Sequence, residues 1–269
     1  MLYQAKNATL RHNGWEMDYI CFGRGERNLI LLPGLGDGLR TMKGTALPMA
    51  LMYRIFAGDF KVWSFSRRTV LPEGHSIRDM ARDLAEAMDA LDIEKADIVG
   101  VSMGGMIAQH LAADFPEKVN KLVLVVTAAR SNPILRSCVE EWVDQARRGD
   151  HTALMGSNLE KIYSEKYYRQ NKWMVPLLGL LTKPKSYDRF LVQAQAVLNH
   201  NAWDRLEDIS CPTLVMGGAR DKCLGGEASR EIAGKIPGAK LRMYEAWGHG
   251  LYEEEKAFNH HVLEFLRED

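Results

Sequence analysis

The sequence predicts an α/β fold in which helices cover both faces of a mostly parallel central sheet. Short apolar runs alternate with amphipathic helical patterns along most of the chain, as they do in proteins with parallel sheets. The run at 122–126 is hydrophobic without interruption, which is typical of a strand covered on both faces. The 269 residues are enough for one large domain with an insertion, so two independent domains are not required.

Each predicted element rests on its own pattern. The predicted strands are short apolar runs bounded by turn residues, at 15–22, 28–32, 60–65, 97–99, 122–126, 213–216 and 241–244. The first of them alternates in polarity, which indicates an antiparallel edge strand. The predicted helices have apolar residues at helical spacing, at 76–91, 103–115, 227–236 and 253–267. Ser76 and Asp79 predict a capped helix N-terminus, and Pro237-Gly238 predicts a helix end.

Residues 131–203 break this alternation and offer no convincing strand. The segment is rich in large apolar side chains and too long for a structureless loop, so we predict a helical cap inserted between core segments 1–130 and 204–269. An insertion after an apolar strand is expected over the carboxyl ends of the strands, where ligands bind in open α/β sheets. Most of its aromatic side chains are expected to form the cap's own core. The candidates for substrate contact are Trp142, Tyr163, Trp173 and Phe190.

Residues 100–104 read Gly-Val-Ser-Met-Gly and lie between a predicted strand and a predicted helix. A G-x-S-x-G motif in that context is a nucleophile elbow, in which a sharp turn raises the serine hydroxyl above the sheet. The free N–H groups and the positive dipole end of the following helix favour an anion at the same place. A tight turn with a helix-capping serine is the alternative without catalysis. Ser102 is therefore the candidate nucleophile.

The strand order, the elbow and the cap resemble the α/β-hydrolase superfamily over essentially the whole chain. The elbow, continued by Gly105-Met106, is similar to those of small bacterial carboxylesterases and enol-lactone hydrolases. The resemblance implies an α/β-hydrolase fold and a serine that reacts with a carboxylic ester, thioester or lactone. It also implies a catalytic triad in the chain order serine, acid, histidine.

This chain order restricts the general base. Among the histidines beyond the expected acid, His260 and His261 belong to the last predicted helix. His249 lies in a Trp-Gly-His-Gly loop directly after the predicted strand 241–244, where its ring can reach the top of the sheet. A turn histidine bonded only to backbone is the alternative interpretation. His249 is the candidate base.

The candidate acid is Asp221, which follows the predicted strand 213–216 and resembles the superfamily's acid loop. A carboxylate there would orient the imidazole and stabilise its protonated form during acyl transfer. Asp204 and Asp208 precede that strand, and we expect them at helix caps or solvated turns. The stretch after the preceding strand carries no carboxylate.

Two backbone amides are expected to complete an oxyanion hole. Met103 follows the nucleophile, and Leu35 lies in the glycine-rich loop after the predicted strand 28–32. Losing one such donor typically raises the activation free energy by about 3 kcal/mol. The chain carries Pro33-Gly34 where the superfamily often has His-Gly, and this departure leaves open how the loop is anchored.

Charge and cysteine content disfavour several classes of partner. Lys+Arg and Asp+Glu are balanced at 35 each, so net charge gives no reason to expect nucleic acid or an anionic membrane as a partner. The pairs Arg67-Arg68 and Arg147-Arg148 are expected on the solvated surface. No signal peptide is evident and charges or prolines interrupt every apolar run, so we expect a cytoplasmic protein without membrane insertion.

Metals and cofactors are not expected either. The four cysteines lack C-x-x-C spacing, and we expect them to be reduced and mostly to act as small buried apolar groups. The histidines show no H-E-x-x-H spacing, and no complete G-x-G-x-x-G motif follows a strand. The expected partner is a small-molecule substrate with an apolar portion.

Three hypotheses about function follow from these residues. The leading one is a cofactor-independent serine hydrolase acting on a small carboxylic ester, thioester or lactone through an acyl-enzyme on Ser102. The second is C–C bond hydrolysis or a lyase reaction with the same triad, and the third is a ligand-binding protein on the same scaffold. A halide-displacing dehalogenase is disfavoured, because that chemistry needs a carboxylate nucleophile where this chain has a serine.

Overall fold

An eight-stranded sheet runs through the computed structural model, which describes residues 2–268. In chain order the strands are β1 (Lys6–His12), β2 (Trp15–Phe22), β3 (Arg27–Leu32), β4 (Phe60–Arg68), β5 (Ala96–Val101), β6 (Val119–Val125), β7 (Thr213–Gly218) and β8 (Lys240–Tyr244). Across the sheet their order is β1-β2-β4-β3-β5-β6-β7-β8. The pairs made by β1 and β2 are antiparallel, and all the others are parallel. The predicted α/β fold with a mostly parallel sheet is confirmed.

Helices connect and cover these strands. Their bounds are α1 (Ala46–Met52), α2 (Ile77–Ala90), α3 (Met103–Asp114), α4 (Pro133–Arg147), α5 (His151–Ile162), α6 (Glu165–Asn171), α7 (Val175–Leu181), α8 (Asp188–Leu198), α9 (Glu227–Lys235), α10 (Leu251–Glu254) and α11 (Phe258–Arg267). The expected cap of α2 is present, because Ser76 and Asp79 each accept the other's backbone N–H. Within residues 2–268, no helix has both the length and the hydrophobicity needed to cross a bilayer.

The core consists of two apolar layers, one on each face of the sheet. Neighbouring residues of a strand point to opposite faces, and accordingly Ile98 packs into one layer and Val99 into the other. The first layer includes side chains of α2, α3 and α9, and the second those of α1 and α11. The central strands are thus buried on both sides, which explains their continuous hydrophobic sequence.

The first hairpin was not predicted from the sequence. β1 pairs with β2 along its length, so β2 is not the edge of the sheet as we expected. Most of β1 is exposed or half-buried, and it therefore lacks a strong apolar pattern. The turn between the strands has left-handed backbone at Asn13 (φ 45°) and Gly14 (φ 80°). Asn-Gly at such a turn is the usual signal for a two-residue hairpin, and it was the one available clue.

The predicted closing helix 253–267 is wrong at its start. The chain forms α10, becomes extended at Glu255 (φ −83°, ψ 109°), and enters α11 only at Phe258. The Glu255 carboxylate accepts the Ala257 N–H at 2.9 Å and the Trp247 indole N–H at 2.7 Å. These bonds provide local partners that compete with a continuous helix.

Helices α4–α8 occupy most of the segment between β6 and β7. Arg130 and Asn201, at its two ends, form an isolated antiparallel bridge, and the Ala202 N–H donates to the Ala129 carbonyl at 2.7 Å. The two chain ends of the segment therefore lie side by side, as the ends of an insertion do. The division at 131 and 203 into a core and a cap stays a prediction.

Candidate active site

Ser102 occupies a strained turn between β5 and α3. Its backbone has φ 54° and ψ −120°, in a region that non-glycine residues rarely adopt. The turn is held on both sides: the Ser102 N–H donates to the Val125 carbonyl at 2.9 Å, and the Thr127 hydroxyl donates to the Ser102 carbonyl at 2.7 Å. A Cβ at Gly104 would collide with the Leu32 backbone, so the elbow requires glycine there.

His249 and Asp221 are paired beneath the surface. The His249 Nδ1 and Asp221 Oδ2 atoms are 2.8 Å apart, and both side chains are buried. The other carboxylate oxygen of Asp221 accepts the N–H groups of Cys223 at 2.7 Å and Leu224 at 2.9 Å. An imidazole that donates its Nδ1–H to this carboxylate keeps Nε2 free to accept a proton.

Ser102 and His249 line the same cavity, which has a volume of about 400 Å³. Its walls are mainly apolar and include Met49, Met52 and Phe56. Burial, with a smaller effect of the nearby Glu253, raises the pKa of the lining residue Tyr53 to about 12. That phenol is therefore neutral at physiological pH, and the cavity suits a substrate with an apolar portion.

The methionines of α1 are lining residues that we did not predict. Met49 and Met52 are three positions apart, so they lie on one face of the helix. The i, i+3 spacing of methionines was visible in the sequence. It could not distinguish a cavity wall from ordinary core, since both bury apolar side chains.

The four predicted cap residues separate into two groups. Trp142 and Phe190 line the cavity and are buried. Among the described residues, the cavity lining includes neither Tyr163 nor Trp173. The Tyr163 hydroxyl donates to Glu253 at 2.6 Å, and the ring stacks on Tyr167. Trp173 is 72% exposed and lies in a short helical turn that has no buried residue.

The two predicted oxyanion donors each begin a helical turn. Met103 is the first residue of α3, and Leu35 is the first residue of a 3-10 turn that ends at Gly38. Amides in these positions have no acceptor within their own helix. The loop of Leu35 also packs close to the nucleophile, since a Cβ at Gly34 would lie 3.3 Å from the Ser102 Cβ.

Two arginines, Arg67 (buried) and Arg189 (half-buried), anchor this oxyanion loop, residues 33–38. Arg189 of α8 donates to the backbone carbonyl and to the carboxylate of Asp37, and it also reaches the carbonyls of Arg67 at 3.0 Å and Arg68 at 2.9 Å. Arg67 donates through its side chain to the Pro33 carbonyl at 2.6 Å and through its N–H to the Asp37 carboxylate at 3.0 Å. We call Arg67, Asp37 and Arg189 the arginine clamp.

The arginine clamp shows how the oxyanion loop is anchored and that one expectation about Arg67 was wrong. Arg67 is only 4% exposed, so placing it on the solvated surface was wrong. Burial lowers its pKa to about 10, although Asp37 opposes that change, and the guanidinium stays charged at neutral pH. The clamp holds the loop that carries Pro33-Gly34 in place of His-Gly. Sequence reasoning missed it because its three members are far apart in the chain.

Two cysteines lie beside the pair of acid and base. Cys138 of α4 and Cys223 are both buried, and both line a small cavity together with Ser102 and His249. One oxygen of Asp221, the Cys223 sulfur and a His249 ring nitrogen all lie within 4.8 Å of one another. Spacing along the chain could not reveal this group, since different loops and helices supply its members.

Comparisons with known proteins agree with the fold. A family model described as the alpha/beta hydrolase fold matches residues 27–256. The chain is 28% identical, over 89% of its length and 90% of the relative's, to a protein provisionally named carbamate hydrolase RutD from Caulobacter sp. (strain K31). It is 27% identical, over 91% and 88% respectively, to the 2-hydroxy-6-oxo-6-phenylhexa-2,4-dienoate hydrolase of Burkholderia cepacia.

A solved structure extends the comparison to three dimensions. The enol-lactonase from Burkholderia xenovorans LB400 superposes with a TM-score of 0.80 at 22% identity, covering 97% of this chain and 100% of the enol-lactonase. At that identity the likeness concerns the fold alone. The family model, however, spans the elbow, the acid loop and the histidine loop, and residues of all three segments line the small cavity that includes Ser102. The chain therefore belongs to the α/β hydrolase fold family.

Proposed function

We propose that this hydrolase cleaves a small carboxylic ester, thioester or lactone with an apolar portion, through an acyl-enzyme on Ser102. The observation that carries the proposal is the cavity, where a serine on a strained elbow and a histidine paired with a buried aspartate share one apolar space. A serine hydroxyl is a weak nucleophile until an adjacent base accepts its proton. His249, which lines the same cavity, is the base that we propose.

In the proposed reaction, Ser102 Oγ attacks the carbonyl carbon while its proton passes to His249 Nε2. Asp221 stabilises the imidazolium, and the amides of Leu35 and Met103 donate to the oxyanion. The imidazolium then protonates the departing alcohol, thiol or ring oxygen, and the acyl group stays on the serine. Water, deprotonated by the same imidazole, releases the carboxylic acid and restores the hydroxyl.

Hydrolysis of a C–C bond is the second candidate, and one relative favours it. The Burkholderia cepacia protein is named as the hydrolase of an oxo-dienoate, a compound without an ester bond. Hydrolysis of such a compound must instead break a bond between two carbon atoms. The same serine, histidine and aspartate would serve either reaction, so only the substrate distinguishes them.

The free cysteines support the cytoplasmic location that we propose. Within the described residues all four are unpaired thiols, as expected in a reducing compartment. A small-molecule substrate remains the proposed partner, and the balanced charge gives no support for nucleic acid.

A substrate panel tests the proposal. Turnover is measured with p-nitrophenyl esters of graded chain length, thioesters, lactones and a 2-hydroxy-6-oxo-dienoate. We expect ester, thioester or lactone turnover that Ser102→Ala lowers by about 10⁵-fold or more. Turnover of the dienoate alone would favour C–C hydrolysis. Binding without turnover of any member would favour a ligand-binding protein.

A further inference from the structure

A second large cavity lies between α2, α3 and α8 and is separate from the catalytic residues. Its volume is about 440 Å³, and within residues 2–268 its lining includes none of Ser102, Asp221 and His249. The imidazoles of His110 and His200 are part of the lining, although these residues are only 6% and 4% exposed. The two rings meet edge to face, with their centroids 5.3 Å apart. Buried polar rings thus form one side of this cavity.

These two histidines carry polar atoms without a protein partner. Both ring nitrogens of His200 and the Nδ1 atom of His110 are buried and accept or donate no hydrogen bond among the described residues. Burial lowers the pKa of His110 to about 4 and that of His200 to about 3, so both imidazoles are neutral at physiological pH. A neutral imidazole offers one N–H donor and one bare nitrogen. Because buried polar groups are normally hydrogen-bonded, these atoms indicate that the cavity receives a polar group from outside the protein.

The cavity also carries positive charge. Arg78, Arg147 and Arg205 line it, and Glu73 is the one carboxylate in its lining within the part of the chain that the structure describes. Asp114 neutralises part of the charge, because it pairs with Arg78 at 2.6 Å and with Arg205 at 3.1 Å. Three guanidinium groups against two carboxylates leave one net positive charge, which favours a singly charged anion.

Arg147 is the arginine that no acid neutralises. It is the last residue of α4, it is exposed, and it takes part in none of the ion pairs formed within residues 2–268. A guanidinium group binds a carboxylate through two parallel N–H bonds, so it is well suited to recognise that group. The opposite requirement comes from α8, where Leu191, Val192 and Ala196 give the cavity an apolar wall.

We propose that this cavity is a second small-molecule site, which binds an organic carboxylate with a short apolar portion. Arg147 supplies the positive charge, the imidazoles of His110 and His200 supply N–H donors, and α8 supplies the apolar wall. A volume of about 440 Å³ lies within the usual range of ligand pockets. The site does not depend on which reaction Ser102 performs.

The same helix links this site to the oxyanion loop. Leu191 and Val192 of α8 line the new cavity, and Arg189 of α8 belongs to the arginine clamp. A ligand that contacts α8 together with α2 and α3 binds best while α8 is docked, and it therefore stabilises the docked state. Saturation with the ligand should accordingly raise the melting temperature.

Calorimetric titration of the full-length protein tests binding. The probes are acetate, butanoate, hexanoate and benzoate, with hexanamide and benzamide as neutral counterparts and inorganic phosphate as another anion. We expect at least one carboxylate to bind at this site and to raise the melting temperature, and its own amide to bind at least tenfold more weakly. Arg147→Gln should weaken that binding at least tenfold. Arg148→Gln is the matched control, because Arg148 is adjacent, exposed and outside the cavity lining, and it should bind as the parent does.

Nuclear magnetic resonance of protein with ¹⁵N-labelled histidine locates the ligand. The bound carboxylate should shift the assigned ring signals of His110 and His200 in the parent protein and in Arg148→Gln, and at the same concentration it should shift them much less in Arg147→Gln. The site would be overturned if no carboxylate bound, if only phosphate bound, or if Arg147→Gln left all carboxylate binding unchanged, as binding in the substrate cavity would. Neither measurement needs turnover, so its failure is distinguishable from failure of the proposed function.

Discussion

The two loops that flank Ser102 are held in place by different means. The acid loop, residues 219–224, is held by its own backbone, because N–H groups two and three residues after Asp221 donate to its carboxylate. The oxyanion loop is held from outside, because Arg189 of the α8 segment and Arg67 at the end of β4 reach its carbonyls and the Asp37 carboxylate. One arrangement is local in sequence, and the other joins three distant segments.

This difference indicates what each loop depends on. A loop with local hydrogen bonds keeps its shape wherever the strand that carries it is folded. A loop held by the arginine clamp keeps its shape only while α8 is docked, since Arg189 belongs to that helix. Removing Arg189 would be costly, because the buried Asp37 carboxylate would lose its charged partner and keep only the Arg67 N–H. The position of the Leu35 amide is therefore coupled to the helices above the sheet.

The largest expected effect lies in the acid loop. Asp221→Asn should lower kcat by about 10⁴-fold, because an amide cannot hold the imidazole in the required tautomer or stabilise its charge. The melting temperature should change little, since the Asn side-chain oxygen can still accept the two backbone N–H groups. Ester turnover and calorimetry measure the two quantities.

His249→Ala should reduce turnover to a similar degree, and the double variant should be little worse than either single variant, because members of a triad act as a unit. Losses that multiply in the double variant would contradict the assignment of these two residues.

The arginine clamp should give a smaller effect on rate and a larger one on stability. Arg189→Met should lower kcat about 10- to 100-fold, equivalent to about 1.4–2.7 kcal/mol, with little change in KM for a minimal ester. It should also lower the free energy of unfolding by about 3–5 kcal/mol, because the buried Asp37 carboxylate loses its charged partner. Arg189→Lys keeps the positive charge but lacks the planar guanidinium. Its kcat and its free energy of unfolding should therefore lie between those of the parent protein and those of Arg189→Met.

A matched control for this variant lies on α6, where Arg169 pairs with Glu165 on the exposed surface. Arg169→Met should change stability by less than about 1 kcal/mol and leave kcat unaltered. The coupling of α8 to the oxyanion loop would be refuted by a folded Arg189→Met protein with the parent's kcat.

The smallest expected effect concerns selectivity. Trp142→Ala and Phe190→Ala each remove part of the apolar wall of the substrate cavity. They should therefore raise the activation free energy for long-chain esters by about 1–3 kcal/mol, and that for an acetyl ester by less. Trp173→Ala is the control, because this side chain points outward. Chain-length profiles of p-nitrophenyl esters measure the effect. Unchanged profiles in both cavity variants would place selectivity in the core loops and α1 instead.

The same contrast explains which features the sequence could predict. The elbow and the parallel strands are local patterns, so Ser102 and the central sheet were recognisable from spacing alone. The arginine clamp was not recognisable. Arg67 belongs to a pair of arginines, a pattern typical of exposed residues, and its partners in the oxyanion loop and α8 are distant in sequence. For the same reason the sequence could not rank Trp142 above Trp173 as a cavity residue: both lie in the predicted cap, and only packing shows that Trp142 lines the cavity.

Covalent labelling tests the central claim, that Ser102 is a nucleophile activated by His249 and Asp221. The protein is treated with a fluorophosphonate and digested with trypsin, and the peptide spanning 96–118, which contains Ser102, is examined by mass spectrometry. We predict one adduct per chain, located on Ser102, and greatly slowed labelling in His249→Ala. An active preparation with no adduct, or with its adduct on another residue, would contradict the account.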